Sequence, residues 1–273
     1  MCACFFFRRK VLPSGYRALH VELANNKDAE FESTVQWAIV VKKDVQEEAR
    51  RGDRRGSVTR PGAFEDVAAI LVFRGSKTLA DMAVDLGCAL YFAVDVDMRV
   101  HVGIWVALHS QPKSVVDQII NVLKTHLYNV GRCGMAHRIV ISGHSLGGGY
   151  ALLSALELFA RGQDADGFLI DPAAVVTFGA PMVIVPGVKK YLWQTLHARA
   201  VVVINAWDAC PRTPSCEAWM FDVLPSVSVR TRMLSNKTVV EQALRPVWGT
   251  VSRYDACGTL CFVDAVRPGK VHI

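Results

Sequence analysis

No apolar run in this chain approaches the roughly 18 residues that a membrane-spanning helix needs, so a transmembrane helix is not expected. No linker composition, internal repeat or low-complexity tract divides the sequence either. That predicts one domain over residues 1–273, with 1–30 a flexible N-terminal segment because those residues carry no clear period. Secretion is not expected either: Phe5-Phe6-Phe7 precedes Arg8-Arg9-Lys10, the reverse of a secretory signal's order, and the apolar part is too short. Without a signal, the eight cysteines read as reduced thiols and not as a disulfide framework. Cys210/Cys216 and Cys257/Cys261 have C-x5-C and C-x3-C spacing, which matches no common zinc pattern, so neither a metal nor another cofactor is expected. Aromatic residues do not interleave with basic ones in the charged stretch from Lys42 to Arg60. There Lys42, Lys43, Arg50, Arg51, Arg54, Arg55 and Arg60 stand against Asp44, Glu47, Glu48 and Asp53, with no ring for a base to stack on. Nucleic acid is therefore not an expected partner; a solvated loop or weak attraction to anionic lipid is.

What is present indicates a globular protein with a large interior: 51% of residues are hydrophobic and 21% charged, with a net charge of +6. Cys2 and Cys4, beside three phenylalanines and three basic residues, admit two readings: S-acylation with a basic patch as a peripheral membrane tether, or a disordered start. The expected location is cytoplasmic, with membrane association through Cys2 and Cys4 under the first reading. Oligomeric state leaves no mark in the sequence.

Strand-like runs rich in branched residues lie at Val35–Val41 and Val67–Phe73, joined as a long hairpin through the charged loop. Ser114 and Asp117 form a capping box ahead of a helical stripe of Val115, Val116, Ile119, Ile120, Leu123 and Leu127. Further strands are predicted at 138–142, 174–178, 199–206 and 259–263, with helices at 146–161 and 188–198. Val100–Trp105 reads as a short strand or turn, 81–100 as an amphipathic cover or a core helix, and 217–245 as an irregular or helical excursion. Strands alternating with helices predict an α/β fold, a mostly parallel central sheet with helices on both faces.

The chain is organised around Ile141-Ser142-Gly143-His144-Ser145-Leu146-Gly147-Gly148. A bare G-x-S-x-G arises by chance in roughly one chain in ten of this length, so the strand before it and the helix after it carry the argument. In a nucleophile elbow that context holds the serine in a strained turn with its hydroxyl raised above the sheet. The backbone N–H of Leu146 then points to where an acyl oxyanion would form. A serine hydroxyl needs a histidine base, and the base needs a carboxylate. His144 points away from the hydroxyl and reads as a packing residue. Two acids follow apolar runs downstream, Asp208 and Asp171; Asp208 has the better strand-end position, and Asp171 is followed by Pro172, a turn signal. The one histidine after Asp208 is His272.

These stretches, with Phe73-Arg74-Gly75-Ser76, Val100-His101-Val102-Gly103, Thr177-Phe178-Gly179-Ala180-Pro181 and Asn205-Ala206-Trp207-Asp208-Ala209-Cys210-Pro211-Arg212, resemble in order and spacing the fungal-type (class 3) lipases of the α/β-hydrolase superfamily. The resemblance runs from about Val67 to Pro214. It implies an α/β-hydrolase fold with a short lid segment, Asp81 to Arg99; Ser145 as nucleophile; Asp208 as triad acid; and Ser76 with Leu146 as oxyanion-hole donors. The chain departs from the family at Tyr254-Asp255-Ala256-Cys257-Gly258, where a histidine is common; if the triad is complete, its base is the one histidine after Asp208, His272. The implied function is a serine hydrolase cleaving carboxylic esters of acylglycerol-type lipids through an acyl-serine intermediate. A catalytically silent scaffold that binds lipid or a protein partner is the alternative, and a phospholipase A1 or small-ester esterase is a second.

Overall fold

The computed structural model describes residues 16–22, 35–42, 67–75, 90–93, 98–110, 112–128, 136–164, 167–185, 190–205, 256–263 and 271–272. An eight-stranded sheet runs in the order β1-β2-β3-β6-β7-β9-β10-β11. Its strands are β1 (Tyr16–Glu22), β2 (Trp37–Lys42), β3 (Ala69–Phe73), β6 (His137–His144), β7 (Ile170–Phe178), β9 (Ala200–Asn205), β10 (Thr259–Val263) and β11 (Val271–His272). The five strands from β3 to β10 are mutually parallel; at the margins β2 and β11 run against them, and β1 is antiparallel to β2. A second sheet of three strands joins β4 (Leu90–Ala93), β5 (Met98–His101) and β8 (Ile184–Val185). Four helices, α1 (Val102–His109), α2 (Val115–Tyr128), α3 (Leu146–Arg161) and α4 (Lys190–Arg199), complete the described elements.

The central strands form where branched side chains are dense, as in Ile139-Val140-Ile141 and Val201-Val202-Val203-Ile204, because such side chains fit a pleated surface buried on both sides. Helix α3 is their main cover. It packs on β3, β6 and β7, and α1, α2 and α4 pack in turn on α3. Every residue of α3 from Leu146 to Leu158 is buried. Its first turn holds three glycines, each about 1 kcal/mol poorer than alanine in a helix. Contact distance explains them: a Cβ on Gly147 would lie 2.6 Å from the Phe73 carbonyl oxygen, and one on Gly148 would lie 2.5 Å from the Ala180 Cβ. Helix α2 begins as predicted, with the Asp117 N–H donating to Ser114 Oγ at 3.1 Å and Ser114 Oγ donating to Asp117 at 2.8 Å. Val115, Val116, Ile119, Leu123 and Leu127 are its buried stripe.

An ionic cluster joins α1, α2 and α3. The Glu157 carboxylate, 4% exposed, lies 3.2 Å from His109 Nε2 and also accepts from Arg161, which reaches on to Asp117. Burial alone would pull the His109 imidazole pKa down. The Glu157 carboxylate and the Trp105 carbonyl, 2.7 Å from His109 Nδ1, outweigh it and hold that pKa above its ordinary value.

Three expectations change. Strand β5 stops at His101, which caps α1 by accepting from the Ile104 N–H at 3.4 Å; the run Val102–Leu108 is apolar at nearly every position, so it shows no period, and it forms a helix whose Ile104, Trp105, Ala107 and Leu108 are buried. Within the segment read as a cover or core helix, Leu90–Ala93 and Met98–His101 pair as antiparallel strands, and β5 is held by β8, 83 residues on, with Met98 and Val100 fully buried. Local pattern carries no trace of so distant a partner. Tyr16–Glu22, inside the stretch without a period, is an edge strand on β2. Residues 81–89, 94–97 and 217–245 lie outside the described residues. Among the described residues, no helix is long and apolar enough to cross a membrane.

Candidate active site

The carboxyl ends of the parallel strands share one edge. Phe73 pairs with Gly143, Gly143 with Thr177, Thr177 with Val202, and Leu260 with Val202. Sites in open α/β sheets form at this edge. Here β6 delivers Ser145, the one described residue other than glycine with positive φ, at φ 53° and ψ −129°. Such a conformation costs on the order of 1–3 kcal/mol and persists where its surroundings over-determine it. Ser145 N–H donates to the Phe178 carbonyl at 2.9 Å, which ties the turn to β7, and its carbonyl accepts from Gly148 N–H at 2.7 Å, which starts α3.

Two glycines let the turn close. A Cβ on Gly143 would stand 2.0 Å from the Gly147 carbonyl oxygen, and one on Gly147 would stand 2.7 Å from the Arg74 carbonyl. Gly75, after β3, lies on the other flank: its Cβ would meet the His144 carbonyl oxygen at 2.5 Å. The elbow thus lies between β3's exit and α3's first turn. Leu146, buried, occupies the first position of α3, where a backbone N–H has no acceptor within the helix and the helix dipole favours negative charge. A serine held in a strained strand-to-helix turn, followed directly by a free helix-start N–H, is the backbone arrangement that acyl transfer uses.

The other predicted residues are placed unevenly. Ser76 follows Gly75 directly but lies outside the described residues, as does Asp208, which comes three positions after the end of β9 in the sequence. Asp171 is at the other edge. It is the second residue of β7, about 23 Å from Phe178 at 3.3 Å per residue, and bonds the Arg199 guanidinium. The turn signal of Pro172 is also overridden: Pro172 sits within β7, where β9 has not yet begun to pair, so its missing N–H costs no ladder bond on that side. His272 has its backbone in β11, paired with Phe262. That is level with Ser145 along the strands but four strand spacings away, about 19 Å across the sheet. The described residues therefore bring together Ser145, Leu146 and the Gly75 turn, and they leave the His272 backbone at the far margin.

The stretch that carries this geometry decides the family: residues 70–218 match lipase (class 3). The chain belongs to the class 3 lipase family. Among curated members of this kin, the chloroplastic phospholipase A1 PLIP2 of Arabidopsis thaliana is 26% identical over 207 residues, 70% of this chain and 27% of that protein. The chloroplastic phospholipase A1 PLIP1 of the same plant is 32% identical over 148 residues, 53% of this chain and 21% of that protein. The class 3 lipase chain thus spans about a quarter of the length of these relatives. The crystal structure of the Lip2 lipase from Yarrowia lipolytica aligns with a TM-score of 0.52 at 16% identity, covering 92% of this chain and 67% of that one, which shows the α/β-hydrolase fold. Both plant relatives are named as chloroplastic, and this overturns the expected cytoplasmic location; Cys2 and Cys4, its proposed tether, lie outside the described residues.

Sequence reasoning missed one contact at this site. Gln36, just before β2, accepts a hydrogen bond from the Arg74 guanidinium through Oε1, and its carbonyl accepts from the Arg74 N–H at 3.0 Å. The two residues are 38 apart, and no local pattern pairs them.

Proposed function

We propose that the chain is a serine hydrolase that cleaves a carboxylic ester of a glycerolipid, with a phospholipid as its substrate and the bond to the first acyl position as the one broken. The observation that carries the reading is the strained Ser145, closed in by Gly143 and Gly147 at the carboxyl edge of the sheet. The names of the plant relatives favour a phospholipid over a neutral acylglycerol, and they favour a plastid as the place of action.

In this mechanism the Ser145 hydroxyl oxygen bonds the ester carbonyl carbon while its proton passes to His272, oriented by Asp208. The oxyanion is met by the Leu146 N–H and by Ser76, each such donor contributing about 3 kcal/mol to the transition state. Collapse breaks the bond to the glycerol oxygen, which takes the proton and leaves as a lysolipid. Water then repeats the sequence on acyl-Ser145 and releases the fatty acid. For His272 to serve, β11 must leave the sheet margin; it is two residues long and paired on one side only, so few bonds oppose that.

The test uses a phosphatidylcholine with different acyl chains at its two positions. Wild type is expected to release the first-position acid and Ser145→Ala none. Release by both proteins at one rate would overturn the reading. The marginal position of His272 favours one alternative, a silent lipase-fold scaffold, for which neither protein would release acid.

A further inference from the structure

Gln36 sits 109 positions before Ser145 and outside the elbow, yet it holds the neighbouring turn at two points. Its carbonyl takes the backbone N–H of Arg74, and its side-chain oxygen takes the Arg74 guanidinium. The Arg74 peptide lies against the first turn of α3, where a Cβ on Gly147 would come within 2.7 Å of both its carbonyl carbon and its oxygen. The next residue, Gly75, is pressed on the His144 carbonyl, the residue before Ser145. An unbroken line of contacts therefore runs from Gln36 through Arg74 and Gly75 to the backbone that carries the nucleophile.

Resting on the function proposed above, we propose that Gln36 is a positioning residue for the reaction: its side chain clamps Arg74 and so fixes the turn at Gly75, from which Ser76 departs, against the elbow. The backbone bond would survive any substitution at position 36. The side-chain bond adds a second tie, through the guanidinium, to an Arg74 peptide that lies against Gly147. A displacement there reaches the oxyanion side of the site without touching substrate contacts.

Two variants separate this from a merely structural role. Gln36→Leu keeps bulk and removes the acceptor; Gln36→Glu keeps an acceptor and makes the contact an ion pair. Hydrolysis of the phosphatidylcholine substrate and amide hydrogen exchange over Phe73 to Gly75 are measured on wild type and both variants. In Gln36→Leu, exchange should rise at least fivefold and kcat should fall about tenfold with KM within twofold, a fraction of the 10²–10³ that losing an oxyanion donor costs. Gln36→Glu should restore both. Unchanged exchange in Gln36→Leu overturns the clamp, whatever the turnover does. Raised exchange with wild-type kcat overturns its part in the reaction. A wild type that hydrolyses nothing while exchange responds to the two variants leaves the clamp standing and removes the hydrolase reading instead.

Discussion

Replacing Gly143 by alanine should damage stability and turnover together. The added Cβ would stand 2.0 Å from the Gly147 carbonyl oxygen, 2.3 Å from its carbon and 2.7 Å from the Gly148 nitrogen, where ordinary contact begins at 3.4 Å. All three are backbone atoms of α3's first turn, which Ser145 O holds through Gly148 N–H, so no flexible side chain can swing aside. Forcing atoms into a packed site costs typically 1–3 kcal/mol and more where backbone must move, so about 3 kcal/mol or above is expected. At about 2–4 °C per kcal/mol for a chain of this size, Tm should fall by about 6–12 °C. The same movement displaces the Leu146 N–H, and a shift of about 1 Å in such a group costs on the order of 100-fold in rate. Gly162→Ala is the control. Gly162 has φ 63° and ψ −140° but no atom within 4 Å of its added Cβ, so only the backbone conformation penalises it, by about 1–3 kcal/mol, with turnover unchanged. Thermal melts and ester hydrolysis on the three proteins decide. Gly143→Ala with the Tm and turnover of wild type would refute the close-packed elbow.

The two acids should behave oppositely. Asp171→Asn, at the far edge and paired with a partly exposed Arg199, should lower Tm by no more than the ~1 kcal/mol of a surface pair and leave kcat within twofold. Asp208→Asn should lower kcat by about 10⁴ by favouring the wrong histidine tautomer; the reverse pattern in steady-state kinetics would exchange their roles. His109 should give pH-dependent stability. Its folded pKa is raised, so its contribution is complete below the unfolded value near 6.5 and fades as pH rises through the folded value. His109→Gln should therefore lower Tm more at pH 6 than at pH 9, and equal losses at the two pH values would contradict the pairing with Glu157.

Much of this architecture is local enough to read from the chain. The elbow is one contiguous strand, turn and helix, and its glycines mark close backbone approach whatever lies beyond them. The capping box at Ser114 and Asp117 and the branched runs of β6, β7 and β9 are legible for the same reason. What fails is what depends on distant partners or on missing contrast. The hairpin of β4 and β5 is settled by Ile184–Val185, and the clamp on Arg74 by Gln36. Helix α1 has no polar face within Val102–Leu108 to give it a period. Asp171 and Asp208 both follow apolar runs, and only strand direction, fixed for β7 by its parallel pairing with β6 and β9, puts Asp171 at the edge away from Ser145. Location is not a matter of folding physics at all, and the cytoplasmic expectation gave way to the chloroplastic relatives.

The central claim is that Ser145 is an activated nucleophile, and covalent labelling of the purified protein by a fluorophosphonate tests it most directly. Wild type should be labelled at Ser145 and Ser145→Ala should take no label. A wild type that takes none, or a Ser145→Ala protein labelled as fast as wild type, would contradict the account.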